Sequence, residues 1–173
     1  MMTPELIFDL DSKDMQNLLR TFALSSTQIE RAAARAINKT VKWVRTQALR
    51  QTAADLGISQ KAVKDRFLIN LARVNKKKAS LWIGLNEISA HKLGKARKTK
   101  NGLRIRDREF AGAFQPRKLK PVFRRIGKAR LPIEKVMVPI KSSETIIHYL
   151  YARAKDQFMK IFERELNFES LKR

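Results

Sequence analysis

The chain has 173 residues and is about 43% hydrophobic, enough for one domain with a modest core. Its 38 lysines and arginines against 16 acids give a formal net charge of +22, so the expected partner is a polyanion: nucleic acid first, an anionic membrane surface second, an acidic protein third. The absence of cysteine excludes disulfides, thiolate chemistry and cysteine zinc sites, and the only histidines, His91 and His148, stand far apart.

The N-terminus "MMTPELIFDLDSKD" is acidic, and its apolar run is too short for a signal peptide. No apolar run is long enough to span a bilayer. A soluble protein made in a reducing cytoplasm is expected, with no membrane, cofactor or metal. Leu6 to Leu10 reads as a short strand, and Ser12 as the cap of a helix carrying Met15, Leu18, Leu19 and Phe22. Asp9, Asp11 and Lys13 have the composition of a metal-nuclease site, in which carboxylates hold magnesium and a lysine orients water. Such a trio just before a helix is more often a solvated helix entry.

Ser26 or Thr27 is expected to cap a long helix from about Gln28 to Ala54. Ile29, Ala33, Ala36, Ile37, Thr40, Val44 and Ala48 fall on one stripe at helical spacing. Arg31, Arg35, Lys39, Lys42 and Arg50 fall on the opposite side, and this basic face is either simply solvated or set against a polyanion. Gly57 ends the helix, and Ser59 is placed to cap a short one through Arg66. "FLINLARV" and "ASLWIGLN" then alternate as two strands joined by the basic turn "NKKK".

"TAADLGISQKAVKDRF" resembles a helix-turn-helix, with Ala53 small, Gly57 at the turn and Val63 packing back. Gln60, Lys61 and Lys64 would then read base edges. The helix before the turn is far longer than the motif's first helix, and strands follow where a third helix belongs.

From His91 to Phe114 cations recur every second or third residue, with Leu103, Ile105, Phe110 and Phe114 among them. Asn-Gly is a favoured hairpin turn, so "KARKTK" and "LRIRDREF" read as the arms of a projecting basic hairpin. Lys95, Arg97, Lys98, Lys100, Arg104, Arg106 and Arg108 would lie on it, and phosphate contacts from such residues give affinity without sequence choice. A compatible reading is an arm, disordered alone, that orders against a neighbouring subunit. Arg124, Arg125 and Lys128 continue the basic character before a turn at Gly127. A strand with Ile133, Val136, Val138 and Ile140 on one buried side follows. Ser142 or Ser143 opens a last helix with Ile146, Ile147, Leu150, Ala154, Phe158, Ile161, Phe162 and Leu166 inward. The plan is α+β: a long amphipathic helix and a C-terminal helix on a small antiparallel or mixed sheet, with a projecting basic arm.

"LWIGLNEI", "KLGKARKTKNGLRI", "FAGAF" and "VFRRIGKARLPIEKVMVPI", preceded by the helix from "AAARAINKT" onward, resemble the minor tail protein Z family of tailed bacteriophages and prophages. The resemblance runs from about Ile29 to Glu165. It implies a structural virion protein rather than an enzyme, acting in tail completion at the head-proximal end and assembled in the host cytoplasm. It further implies a homo-oligomeric ring, often six-fold, that meets other tail and neck proteins and borders a channel for double-stranded DNA. On this reading residues 1–173 are a single tail-completion-like domain with 91–120 as its basic arm. The first alternative is a helix-turn-helix regulator. An RNA-binding protein of ribosomal type is a third possibility on charge alone, without an obvious aromatic stacking platform.

Overall fold

The computed structural model describes residues 21, 24–84, 86–139 and 143–172. The strand expected at Leu6 to Leu10, the helix expected after Ser12, the Asp9, Asp11, Lys13 trio, Ile140 and Ser142 lie outside the described residues.

Helix α1 runs unbroken from Ser26 to Asp55 over 30 residues. Its cap is one residue earlier than expected. Ser25 and Gln28 form a reciprocal capping box: the Ser25 N–H donates to Gln28 Oε1 at 2.9 Å, and the Gln28 N–H reaches Ser25 Oγ at 3.4 Å. At the other end Gly57 adopts φ +63°, the Ile58 N–H donates to the Ala53 carbonyl at 2.9 Å, and the Gly57 N–H donates to the Ala54 carbonyl at 2.9 Å. This is a Schellman closure, which satisfies orphan carbonyls and needs the left-handed conformation glycine supplies. The expected apolar stripe from Ile29 to Ala48 is buried throughout.

Helix α2 covers only Gln60–Val63, followed by a 3-10 turn Lys64–Arg66. Ser59 stands at its N-cap, but its side chain makes no capping hydrogen bond. Strands β1 (Phe67–Asn70) and β2 (Ser80–Ile83) pair antiparallel as expected. The following strands are β3 (Ile88–Ser89), β4 (Ala96–Thr99), β5 (Gly102–Ile105), β6 (Arg108–Ala111), β7 (Ala113–Phe114), β8 (Phe123–Arg125), β9 (Ile133–Lys135) and β10 (Met137–Val138). Helix α3 spans Ser143–Ser170. Among the described residues the strands form four small antiparallel sheets, β1–β2, β3–β10, β4–β5–β6 and β7–β8–β9, where one sheet was expected. Three of these sheets pair strands consecutive in sequence, while β3 and β10 are brought together from distant parts of the chain.

The chain divides into two compact units. The first holds the described residues up to Leu49, then Arg66–Gly84, then α3. In it the β1–β2 hairpin turns Phe67, Leu81 and Ile83 inward and exposes Leu68 opposite Trp82. Asn38 on α1 pins the hairpin's loop: its Nδ2 donates to the Ala72 carbonyl at 2.9 Å, and its Oδ1 accepts from the Ala72 N–H at 2.7 Å. Arg45 Nε donates to the Phe67 carbonyl at 2.7 Å. On α3, Leu150, Ala154, Phe158, Phe162 and Leu166 are buried as expected, while Ile161 is half-buried.

The second unit holds Arg50–Asp65 and Leu85–Ser143. Ile88, Leu93, Leu103, Ile105, Val122, Val136 and Val138 form its core with Leu56, Ile58 and Val63. Ile133 is exposed, against the expectation that it shares a side with Val136 and Val138. Ile133 belongs to β9, whose three residues are all exposed, and Val138 to β10 in another sheet, so the two are not on one continuous strand.

Candidate partner interface

The stretch expected as a two-armed hairpin is a three-stranded meander. Thr99 pairs with Gly102, so the first turn is Lys100-Asn101 rather than Asn101-Gly102. A side chain at Gly102 would stand 2.3 Å from the Phe110 carbonyl oxygen, which requires glycine in the strand itself. "LRIRDREF" is not one strand: Ile105 pairs with Arg108 across a second turn, Arg106-Asp107, with Arg106 at φ +54°. Leu103 and Ile105 are buried in the second unit, so the apolar residues among the cations serve the unit's own core.

Lys95, Arg97, Lys98, Lys100, Arg104, Arg106 and Arg108 are all exposed on or beside this meander. Arg97 lies directly opposite Arg104, and Arg104 opposite Glu109. Like charges in register are unfavourable, and Glu109 relieves them through an ion pair to Arg104 Nη2 at 3.5 Å. Thr99 Oγ1 donates to the same carboxylate at 3.0 Å. Arg106 reaches across its turn to Gly57, where an added Cβ would lie 3.6 Å from its Nη1. Its guanidinium thus stands at the C-terminal end of α1, where positive charge complements the helix dipole.

Arg124, Arg125 and Lys128 are exposed on the β8–β9 hairpin. Arg124 donates through Nε and Nη2 to Glu134 Oε1 at 3.1 and 2.7 Å. The Arg125 guanidinium lies 5.8 Å from the Phe114 ring centroid, within cation–π reach. His91 shares a 2.8 Å hydrogen bond with Ser89 Oγ. Burial, and then Lys92, Lys120 and Lys135, hold its pKa below the ordinary value of 6.5.

The helix face is divided. Arg31, Lys39, Lys42 and Arg50 are exposed and Arg35 is half-buried, but Arg35 and Lys39 are ion-paired within the first unit. Arg35 Nε donates to Glu165 Oε2 at 2.6 Å, Arg35 Nη2 pairs with Glu169 Oε1 at 2.6 Å, and Lys39 Nζ donates to Glu165 Oε1. Burial alone would raise the Glu165 pKa; the bonds from Lys39 and Arg35 outweigh it and hold the carboxyl below its ordinary range. The same carboxylates raise the Arg35 pKa against the effect of burial. These two cations join α1 to α3, leaving three of the expected five on an open face.

The helix-turn-helix reading meets a second helix of four residues. That is about one turn, too short to lay Gln60, Lys61 and Lys64 along a groove. Among the described residues no group of three His, Asp or Glu side chains is placed to hold a metal. No helix among them is long and apolar enough to cross a membrane.

Sequence reasoning missed Arg130 and Lys135, both exposed on the β8–β9 hairpin, and the buried Glu165 and Glu169. The second pair was findable, because positions 165 and 169 continue the α3 inner stripe through Phe158, Phe162 and Leu166 at helical spacing.

The profile of a family described as prophage minor tail protein Z matches residues 15–170. A tail completion protein of Escherichia phage N15 is 29% identical over 159 residues, covering 83% of this chain and 83% of that protein. No solved structure matches.

Proposed function

We propose that this chain, which belongs to the prophage minor tail protein Z family, completes the head-proximal end of a phage tail as a ring of identical subunits. The family makes it a structural tail protein that works against other tail proteins in the virion. The ring and its place at the neck go beyond that, and so does contact between its cations and the DNA in the channel.

The observation that supports the contact is the meander. Its apolar residues are turned into the unit, while seven cations stay in solvent with Glu109 ion-paired among them at Arg104. A surface of that kind holds phosphates without reading bases.

Mass spectrometry of purified particles tests the structural role, with a small fixed copy number per particle expected. Native mass spectrometry of the purified protein should show one closed oligomer. Duplex binding measured between 50 and 200 mM salt should fall by about 10³-fold or more if at least six phosphates are neutralised, with little preference among sequences. Selectivity of about 10³-fold or more for one duplex would instead mark a regulator.

A further inference from the structure

We propose that the β8–β9 hairpin is the element by which this protein docks on another tail protein, its apolar tip entering an apolar pocket rimmed by carboxylates. The inference rests on the tail role proposed above.

The hairpin pairs along β7, Ala113 with Arg124 and Phe114 with Phe123, and is anchored at its base. Val122 and Val136 are buried there, and the Val136 N–H donates to the Val122 carbonyl at 2.9 Å. Arg124 pairs with Glu134 and Arg125 with Ile133, and the Ile126 N–H closes the loop on the Pro132 carbonyl at 3.2 Å. Beyond that base every residue from 124 to 135 is exposed. At the tip Ile126 is 63% exposed and Leu131 67%, with Ile133 beside them also exposed. The stem is held in shape before any partner arrives. Phe114 and Phe123 lie with ring centroids 6.4 Å apart, and Arg125 lies over Phe114.

Two chemistries meet on this tip, and together they select the partner. Arg125, Lys128, Arg130 and Lys135 are exposed, and the hairpin's single carboxylate, Glu134, is already paired with Arg124 at 2.7 Å. The complement is therefore acidic. The same tip of a second copy is a poor complement, because it carries the same cations. A phosphate backbone would satisfy the cations but gives Ile126 and Leu131 nothing to pack on. An acidic protein surface with an apolar pocket satisfies both. A preformed hairpin also loses little freedom on binding.

The test uses a phage deleted for this gene and complemented with wild-type protein, with I126S/L131S, or with K128E/R130E. Copies per purified particle are counted by mass spectrometry. All the substituted side chains are exposed, so unchanged circular dichroism and unfolding midpoints are expected. Wild type should be restored to its fixed copy number, and both variants should fall at least tenfold. I126S/L131S present at wild-type level overturns the docking role and leaves the tail role standing. Wild type itself missing from particles overturns the tail role, and this inference with it. Fluorescence anisotropy on random duplex and sedimentation velocity of the purified proteins supply the other arms. A tenfold loss of duplex affinity in I126S/L131S would mean that the tip wedges into DNA, and loss of self-association would mean that its partner is a second copy; either overturns the proposal. Unchanged values in both, together with loss from particles, support it.

Discussion

Replacing Arg35 by alanine should destabilise the protein more than replacing Glu165, although both changes break the same ion pair. The reason lies in which charges are left behind. Arg35 is 33% exposed and joins two carboxylates that are 7% and 4% exposed, Glu165 and Glu169. Removing it strands both in a poorly solvated site, supported only by Lys39 on one and by Lys172, 3.8 Å away, on the other. Stranding a buried charge costs about 3–5 kcal/mol. Glu165→Ala instead strands cations: Lys39, 60% exposed, turns to water, and Arg35 keeps Glu169. Two charge-assisted hydrogen bonds are lost, but the one from exposed Lys39 is screened by solvent, so the cost is about 1.5–3 kcal/mol, mostly from the Arg35 bond. Lys39→Ala should cost about 0–1 kcal/mol, as exposed pairs do.

Urea unfolding followed at 222 nm would rank the three variants. The pH dependence supplies a second check. The folded-state pKa of Glu165 is lowered, so its contribution is complete above the ordinary value of 4.5 and is lost as pH falls through the depressed value. Without Arg35 the Glu165 carboxyl protonates at higher pH. The gap between wild type and Arg35→Ala should therefore narrow as pH falls from about 7 to about 3. An Arg35→Ala cost no larger than that of Glu165→Ala, or a gap that does not narrow, would refute the reasoning.

Gly102→Ala drives a Cβ against the Phe110 carbonyl and should cost at least about 1–3 kcal/mol, with amide exchange protection lost across β4, β5 and β6. Asn38→Ala leaves both polar groups of Ala72 without their side-chain partner and should cost about 1–3 kcal/mol by urea unfolding. The His91 pKa is lowered in the fold, so the unfolded chain protonates first as pH falls below 6.5, and stability should decline from there down to the folded value. His91→Gln should remove that slope, and an NMR titration of the imidazole should report the depressed pKa directly.

Much of the first unit was legible in the sequence. The α1 stripe had helical spacing over seven positions, and Gly57 marked its end. The cap was misplaced by one because Ser25, Ser26 and Thr27 are all cap formers. Gln28, three residues after Ser25, was the signal that separated them. The ion-pair network is not legible in the sequence, because a basic residue on a helix face carries no local sign of whether it is paired. Arg35 and Lys39 differ from Arg31 and Lys42 only in what α3 sets beside them, and that is a long-range fact. The second turn of the meander carried no usual turn signal. Arg106-Asp107 contains neither glycine nor asparagine, and Arg106 takes the left-handed conformation that those residues normally supply.

The two basic hairpins show where texture misleads and spacing does not. Both mix cations with apolar residues, and texture alone assigned the exposed arm to residues 91–114. Leu103 and Ile105 are two apart, so a strand puts them on one face, and that face is buried. Ile126 and Leu131 are five apart in "RRIGKARLP", with a glycine between them and a proline after them. No strand or helix gathers them onto one buried face, and they remain at the tip in solvent. Under the docking proposal, the mixture of charge and hydrophobicity sets the kind of partner. The period of the apolar residues decides whether they meet this chain or another one.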